Sequence, residues 1–235
     1  MSELNSPWFL ALDLDSGDKA LDLARSCREF VGGFKVGPRL VLSQGPEWVK
    51  RLSDLAPVFL DFKFYDIPST TEAAVRAAFA MGASFVTVHA ANGSETLKRL
   101  SAIESELNRK RPFKILAVTV LTSFSQQTLP EPYAQFPIAE QVVALAKTAH
   151  SSGIRGLVCS AHEIKNLRRT FSDSYLVVPG IRLDGENKGD QKRVMAPGEA
   201  LALGASALVI GRPVLQAEDP KAVARDIHGI CKEKQ

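Results

Sequence analysis

The chain has 235 residues, 45% of them hydrophobic and 23% charged, with a formal net charge of +3. That composition is ordinary for a globular protein and long enough for a substantial core, and it suits one large domain spanning 1–235. The near balance of 29 basic and 26 acidic residues, with no basic run, argues against bulk nucleic-acid binding.

Short apolar runs alternate with amphipathic segments along the chain. The runs read as strands: 8–15, 32–37, 58–64, 84–90, 113–121, 156–160, 175–180 and 206–212. Helical patterns lie between them, at 18–30, 71–82, 94–107 and 138–153, with shorter ones near 162–170, 197–203 and 219–232. The pattern at 71–82 closes on a glycine, a stop signal. Eight strands, each followed by a helix, predict a parallel sheet, and eight such units in this length fit a closed (β/α)₈ TIM barrel. A doubly wound open sheet is the alternative. Two loops are long, 122–137 and 181–196.

The N-terminus lacks the basic and long apolar regions of a signal peptide. No stretch approaches the roughly 18 apolar residues of a membrane span. The three cysteines, Cys27, Cys159 and Cys231, are widely spaced and suggest neither a disulfide framework nor a zinc pattern. A cytoplasmic location is therefore expected.

A barrel carries its chemistry at the C-terminal strand ends. Read in turn, those ends supply Asp13, Lys35, the pair Asp61 and Lys63 with Asp66 beyond, His89, Thr122, Cys159, Gly180 with Arg182, and Gly211 with Arg212. In "LDFKFYDIPST" (60–70), side chains alternate, so Asp61 and Lys63 share the inward face while Leu60, Phe62 and Phe64 face the helices. A lone buried charge is costly, but alternating signs let each charge stabilise its neighbour. Lys35, Asp61, Lys63 and Asp66 can form such an array, as a structural ion network or as a catalytic one. Glycine and arginine after strands 7 and 8 fit the usual phosphate-binding place of this barrel. Cys159 reads as a small buried strand residue and His89 as a rim residue. A metal at Asp13, Asp61 and Asp66 would compete with Lys35 and Lys63 for the same carboxylates.

These residues resemble the orotidine 5'-phosphate decarboxylase family over nearly the whole chain. "DFKFYDIPST" is similar to its D-x-K-x-x-D-I-P signature, and "ALDLD", "FKVGP", "TVLTS", "VPGIRLDGENKGDQKRV" and "IGRP" match other segments. The pattern is that of the short bacterial form. The resemblance implies a barrel homodimer, no metal or other cofactor, and conversion of orotidine 5'-monophosphate to uridine 5'-monophosphate and carbon dioxide.

By the same match, Lys63 is the proton donor to C6 and Asp61 lies beside the substrate carboxylate. Lys35 and Asp13 bind ribose hydroxyls, with Lys35 also in the charge array. Asp66 and Thr70 reach into the neighbouring subunit's site, and Thr122 contacts the pyrimidine. Gln191, Arg182 and Arg212 hold the phosphate end, with Gln191 also near the base, and Pro179 and Gly211 belong to the substrate site. A 3-keto-L-gulonate 6-phosphate decarboxylase-like protein shares D-x-K-x-x-D, but that relative uses magnesium and has a carboxylate where Lys35 stands. A non-catalytic phosphate-binding barrel is the third reading, and the intact Asp61, Lys63 and Asp66 set argues against it.

Overall fold

A computed structural model describes residues 4–183 and 195–233. Eight strands form a closed, wholly parallel barrel in chain order: β1 (Trp8–Ala11), β2 (Gly33–Val36), β3 (Val58–Phe64), β4 (Ala83–His89), β5 (Lys114–Val118), β6 (Gly156–Val158), β7 (Tyr175–Val178) and β8 (Ala207–Ile210). The ring closes where Trp8, Phe9 and Leu10 pair with Leu208, Val209 and Ile210. This is the barrel expected from the alternating pattern, and the open-sheet alternative is set aside.

The helices wrap this ring. They are α1 (Gly17–Cys27), α2 (Pro38–Gln44), α3 (Pro46–Ser53), α4 (Pro68–Ala80), α5 (Gly93–Asn108), α6 (Ile138–Ser151), α7 (Ile164–Thr170), α8 (Pro197–Ala202), α9 (Arg212–Leu215) and α10 (Pro220–Lys232). Helices α2, α3 and α9 were not expected from periodicity. Each is short and has a proline in its first turn, where the missing N–H is no loss. The predicted glycine stop is Gly82, whose φ of 105° turns the chain from α4 into β4.

Two apolar layers hold the barrel. Inside, Phe9, Phe59 and Phe85 meet with ring centroids 5.0–6.3 Å apart, packed with Leu116, Val177 and Ala207. Outside, residues such as Leu10, Phe34, Leu60, Val86 and Ile115 bury their side chains in the layer shared with the helices. Phe62 and Phe64 stack edge to face at 5.4 Å against this outer layer, as the alternation in β3 predicts. Indole N–H donors tie the layers: Trp8 Nε1 donates to the Phe30 carbonyl at 2.9 Å and Trp48 Nε1 to that of Gly17 at 3.0 Å. The inner aromatics fill the barrel below its C-terminal rim, so the barrel interior opens only above them.

Candidate active site

The rim above the inner aromatics holds one deep cavity of about 590 Å³. Its lining includes Asp13, Lys35, Asp61, Lys63, Thr122, Pro179, Arg182, Gly211 and Arg212. Residues 199 positions apart in the sequence, Asp13 and Arg212, thus meet in one chamber because parallel strands all deliver their C-terminal ends to the same side.

Two ion pairs organise the polar wall. Lys35, on β2, places Nζ 2.9 Å from Asp13 Oδ1, just beyond β1. Lys63, on β3, places Nζ 2.9 Å from Asp61 Oδ1. The Asp61 and Lys35 side chains are largely buried, 18% and 12% exposed, whereas Lys63 at 37% keeps access to the cavity. Charge-assisted bonds of this length hold both lysines in place. Each carboxylate is already bonded to an ammonium, which disfavours a cation at either.

The backbone at Lys63 departs from the strand. Its φ is 53°, the one left-handed value outside glycine among the described residues. The β3–β4 register shifts between Leu60 and Phe64. Thr87, fully buried on β4, accepts the Lys63 N–H at 2.8 Å and donates to Asp61 Oδ1 at 3.0 Å. Sequence reasoning passed over Thr87 because a threonine in a strand is ordinary and only the register reveals its partners.

Next to this wall, across the β8–β1 pairing, the rim after β7 and β8 carries two arginines. Gly180, φ 82°, turns the chain after β7 and leads into Arg182. Arg182 is 7% exposed; its N–H donates to the Met195 carbonyl at 3.1 Å, and the Met195 N–H donates to the Gly180 carbonyl at 3.4 Å. Gly211 opens α9 after β8, and a Cβ there would lie 3.2 Å from that of Ala11 and 3.9 Å from Asp13 Oδ2. Small size at 211 therefore keeps the floor beside Arg212 open. Gln191 lies outside the described residues.

Asp66 and Thr70 stand apart from this cavity. Asp66 Oδ1 accepts the Ile67 N–H at 2.7 Å, and the residue borders a separate surface cleft with Tyr65, Ile67 and Asn92. Thr70 is exposed in the first turn of α4. His89 also lies outside the main cavity, in an apolar recess with Tyr65, Phe124 and Tyr133. Burial first, and then the Lys63 charge, push its pKa below the ordinary imidazole value, and its Nδ1 accepts the Ala91 N–H at 3.2 Å. Cys159 is buried, as read from the sequence, yet also borders the cavity, as do Phe59 and Leu121.

A (β/α)₈ barrel whose paired lysines and carboxylates share one chamber with two arginines defines a barrel suited to an anionic ligand. The family model described as "Orotidine 5'-phosphate decarboxylase / HUMPS family" matches residues 6–227, and the chain belongs to that family. Proteins named orotidine 5'-phosphate decarboxylase are similar throughout. One from a Synechococcus strain is 47% identical over 219 residues, covering 91% of this chain and 90% of its own. One from Sphingopyxis alaskensis is 39% identical over 225 residues, covering 95% and 98%. The crystal structure of orotidine 5'-phosphate decarboxylase from Lactobacillus acidophilus superposes with a TM-score of 0.82 at 35% identity, covering 96% of this chain and 98% of that one.

Proposed function

We propose that this chain decarboxylates orotidine 5'-monophosphate at C6, giving uridine 5'-monophosphate and carbon dioxide, the last step of UMP biosynthesis. One observation carries the reading: the Lys63–Asp61 pair and the two arginines share a single chamber in a chain of this family.

The chemistry fits those residues. When the C6–carboxylate bond breaks, its electron pair stays on C6 in the plane of the ring, where conjugation gives little relief. The Lys63 ammonium stabilises that charge and then gives C6 a proton, so the departing bond's electrons become the new C–H bond. The Asp61 carboxylate holds Lys63 at 2.9 Å and stands beside the leaving carboxylate. Lys35 donates to, and Asp13 accepts from, ribose hydroxyls. Thr122 contacts the pyrimidine. Arg182 and Arg212 hold the phosphate with Gly211 and Pro179 beside it, and Gln191 completes that end by motif. Binding energy from the unreacting phosphate serves to order the site.

The working unit is a homodimer of single-domain barrels in the cytoplasm, with Asp66 and Thr70 of each chain completing its partner's site. Exposed placement of both residues at the rim supports this. Among the described residues no helix is long and apolar enough to cross a membrane, and all three cysteines are buried.

Turnover of orotidine 5'-monophosphate, followed by uridine 5'-monophosphate and carbon dioxide release with and without a chelator, tests the reading. Full activity in chelator is expected. No turnover with or without chelator would overturn the reading, and loss of activity on chelation would overturn its metal-free chemistry. Lys63→Ala should fold normally by circular dichroism and lose all measurable turnover. A folded variant with near-normal turnover would remove Lys63 as proton donor.

A further inference from the structure

The irregularity in β3 has a cause that points beyond the ion pairs. β3 and β4 stay in register at Leu60 opposite Val86 and next pair at Phe64 opposite Val88. β3 thus takes four steps, Leu60 to Phe64, where β4 takes two, Val86 to Val88. The extra length is absorbed by the left-handed backbone of Lys63, at φ 53°. A bulge of this kind re-aims a side chain at the cost of ladder hydrogen bonds. The Lys63 N–H loses its ladder carbonyl, and the Thr87 hydroxyl receives it instead at 2.8 Å.

A hydroxyl has one proton to give. With the Lys63 N–H occupying an acceptor site, Thr87 Oγ1 gives its proton to Asp61 Oδ1 at 3.0 Å. That same oxygen accepts the Lys63 ammonium at 2.9 Å. One buried hydroxyl therefore fixes the main chain of Lys63, the rotation of the Asp61 carboxylate, and through that carboxylate the ammonium. Thr87 itself cannot drift, since it is 0% exposed and stands directly above Phe85 on the inner face of β4.

We propose that Thr87 is a positioning residue for the reaction, holding Asp61 and Lys63 in the one relative geometry in which the ammonium meets C6. The inference rests on the assignment of Lys63 as proton donor. Misplacing a reacting group by about 1 Å can cost on the order of a hundredfold in rate. A purely structural threonine would instead stabilise the bulge and leave the rate per folded molecule unchanged.

The test compares the parent with Thr87→Val, which keeps the shape and removes the hydroxyl, and Thr87→Ser, which keeps the hydroxyl. Steady-state turnover of orotidine 5'-monophosphate, affinity for uridine 5'-monophosphate and thermal melts are measured on all three. Thr87→Val should lose on the order of 10- to 100-fold in kcat, the worth of a hydrogen bond to a charged group. Its KM and nucleotide affinity should stay within about threefold, because the phosphate contacts are untouched. Thr87→Ser should recover most of the loss. Normal kcat in Thr87→Val, or equal losses in the valine and serine variants, overturns the proposal. If Thr87→Val does not fold, Thr87→Ala replaces it and the same outcomes decide. If neither folds, the hydroxyl is a structural requirement and the positioning role falls. An inactive parent sinks the decarboxylase reading and this inference with it. An active parent with a dead Lys63→Ala and a normal Thr87→Val sinks this inference alone.

Discussion

Arg212 follows the glycine that opens α9, and its guanidinium can grip two phosphate oxygens in parallel, which a lysine cannot match. The phosphate does not react, so a simple anchor would change KM alone. If phosphate contact also orders the site, Arg212→Ala should lower kcat as well. The expected loss in kcat/KM is roughly 30- to 1000-fold, about 2–4 kcal/mol for a charge-assisted contact. Orotidine without its phosphate is the control, and parent and variant should process it at similar rates. Equal losses on both substrates would mean that Arg212 braces the rim. The charged residues of this site were legible because the ends of β1, β2, β3, β7 and β8 carry charges that a barrel interior would otherwise exclude. Thr87 was not, since its role depends on which β4 residue faces the Lys63 bulge, and register is a tertiary property.

Among the elements, α5 and β5 meet through a strained carboxylate. Glu104 on α5 lies 4.0 Å from Lys114 at the start of β5, and its Oε2 has no hydrogen-bond partner among the described residues. Burial pushes its pKa from an ordinary 4.5 up to about 7, against the opposing pull of Lys114 and the Ile115 N–H. Below about pH 4.5 the folded and unfolded chains are both protonated at this site. As pH rises toward 7 the unfolded chain ionises while the folded one keeps its proton, so stability falls. Glu104→Gln should therefore exceed the parent in stability at pH 8 by on the order of 1–3 kcal/mol, and the gap should shrink or reverse at pH 5. Urea unfolding at the two pH values reads this directly, and a gap independent of pH would refute the assignment. The strands and long helices were legible from their apolar periods. The short helices α2, α3 and α9 were not: Gly45 and Pro46 break the run that holds α2 and α3, and α9 has only 4 residues.

At the scale of the whole molecule, the rim beside Asp66 is unusually apolar for a surface. Tyr65 is 62% exposed and Ile67 65%, and Tyr133, which shares a recess with Tyr65, is also exposed. Such a patch around a motif carboxylate suits burial against a second copy. If sites are shared, inactive Asp66→Ala and inactive Lys63→Ala chains should regain activity when mixed. Each hybrid would hold one doubly damaged site and one intact site. No recovery after verified subunit exchange would count against sharing. Barrel closure could be read from eight repeated units, but a surface that meets another chain leaves no period or spacing behind.

The seam of the ring joins Trp8 to Leu208, so its two sides are 200 residues apart in the chain. Bringing such distant segments together carries a loop-closure entropy that local helix formation never meets. No chamber exists until that seam is shut, since Asp13 lies just past β1 and Arg212 just past β8. A nucleotide held by both residues would straddle the seam, and by mass action it would favour the closed ring over every opened form. Substrate is then also a folding ligand: a cell rich in it keeps more of this chain shut, and one starved of it leaves the ring to its own packing.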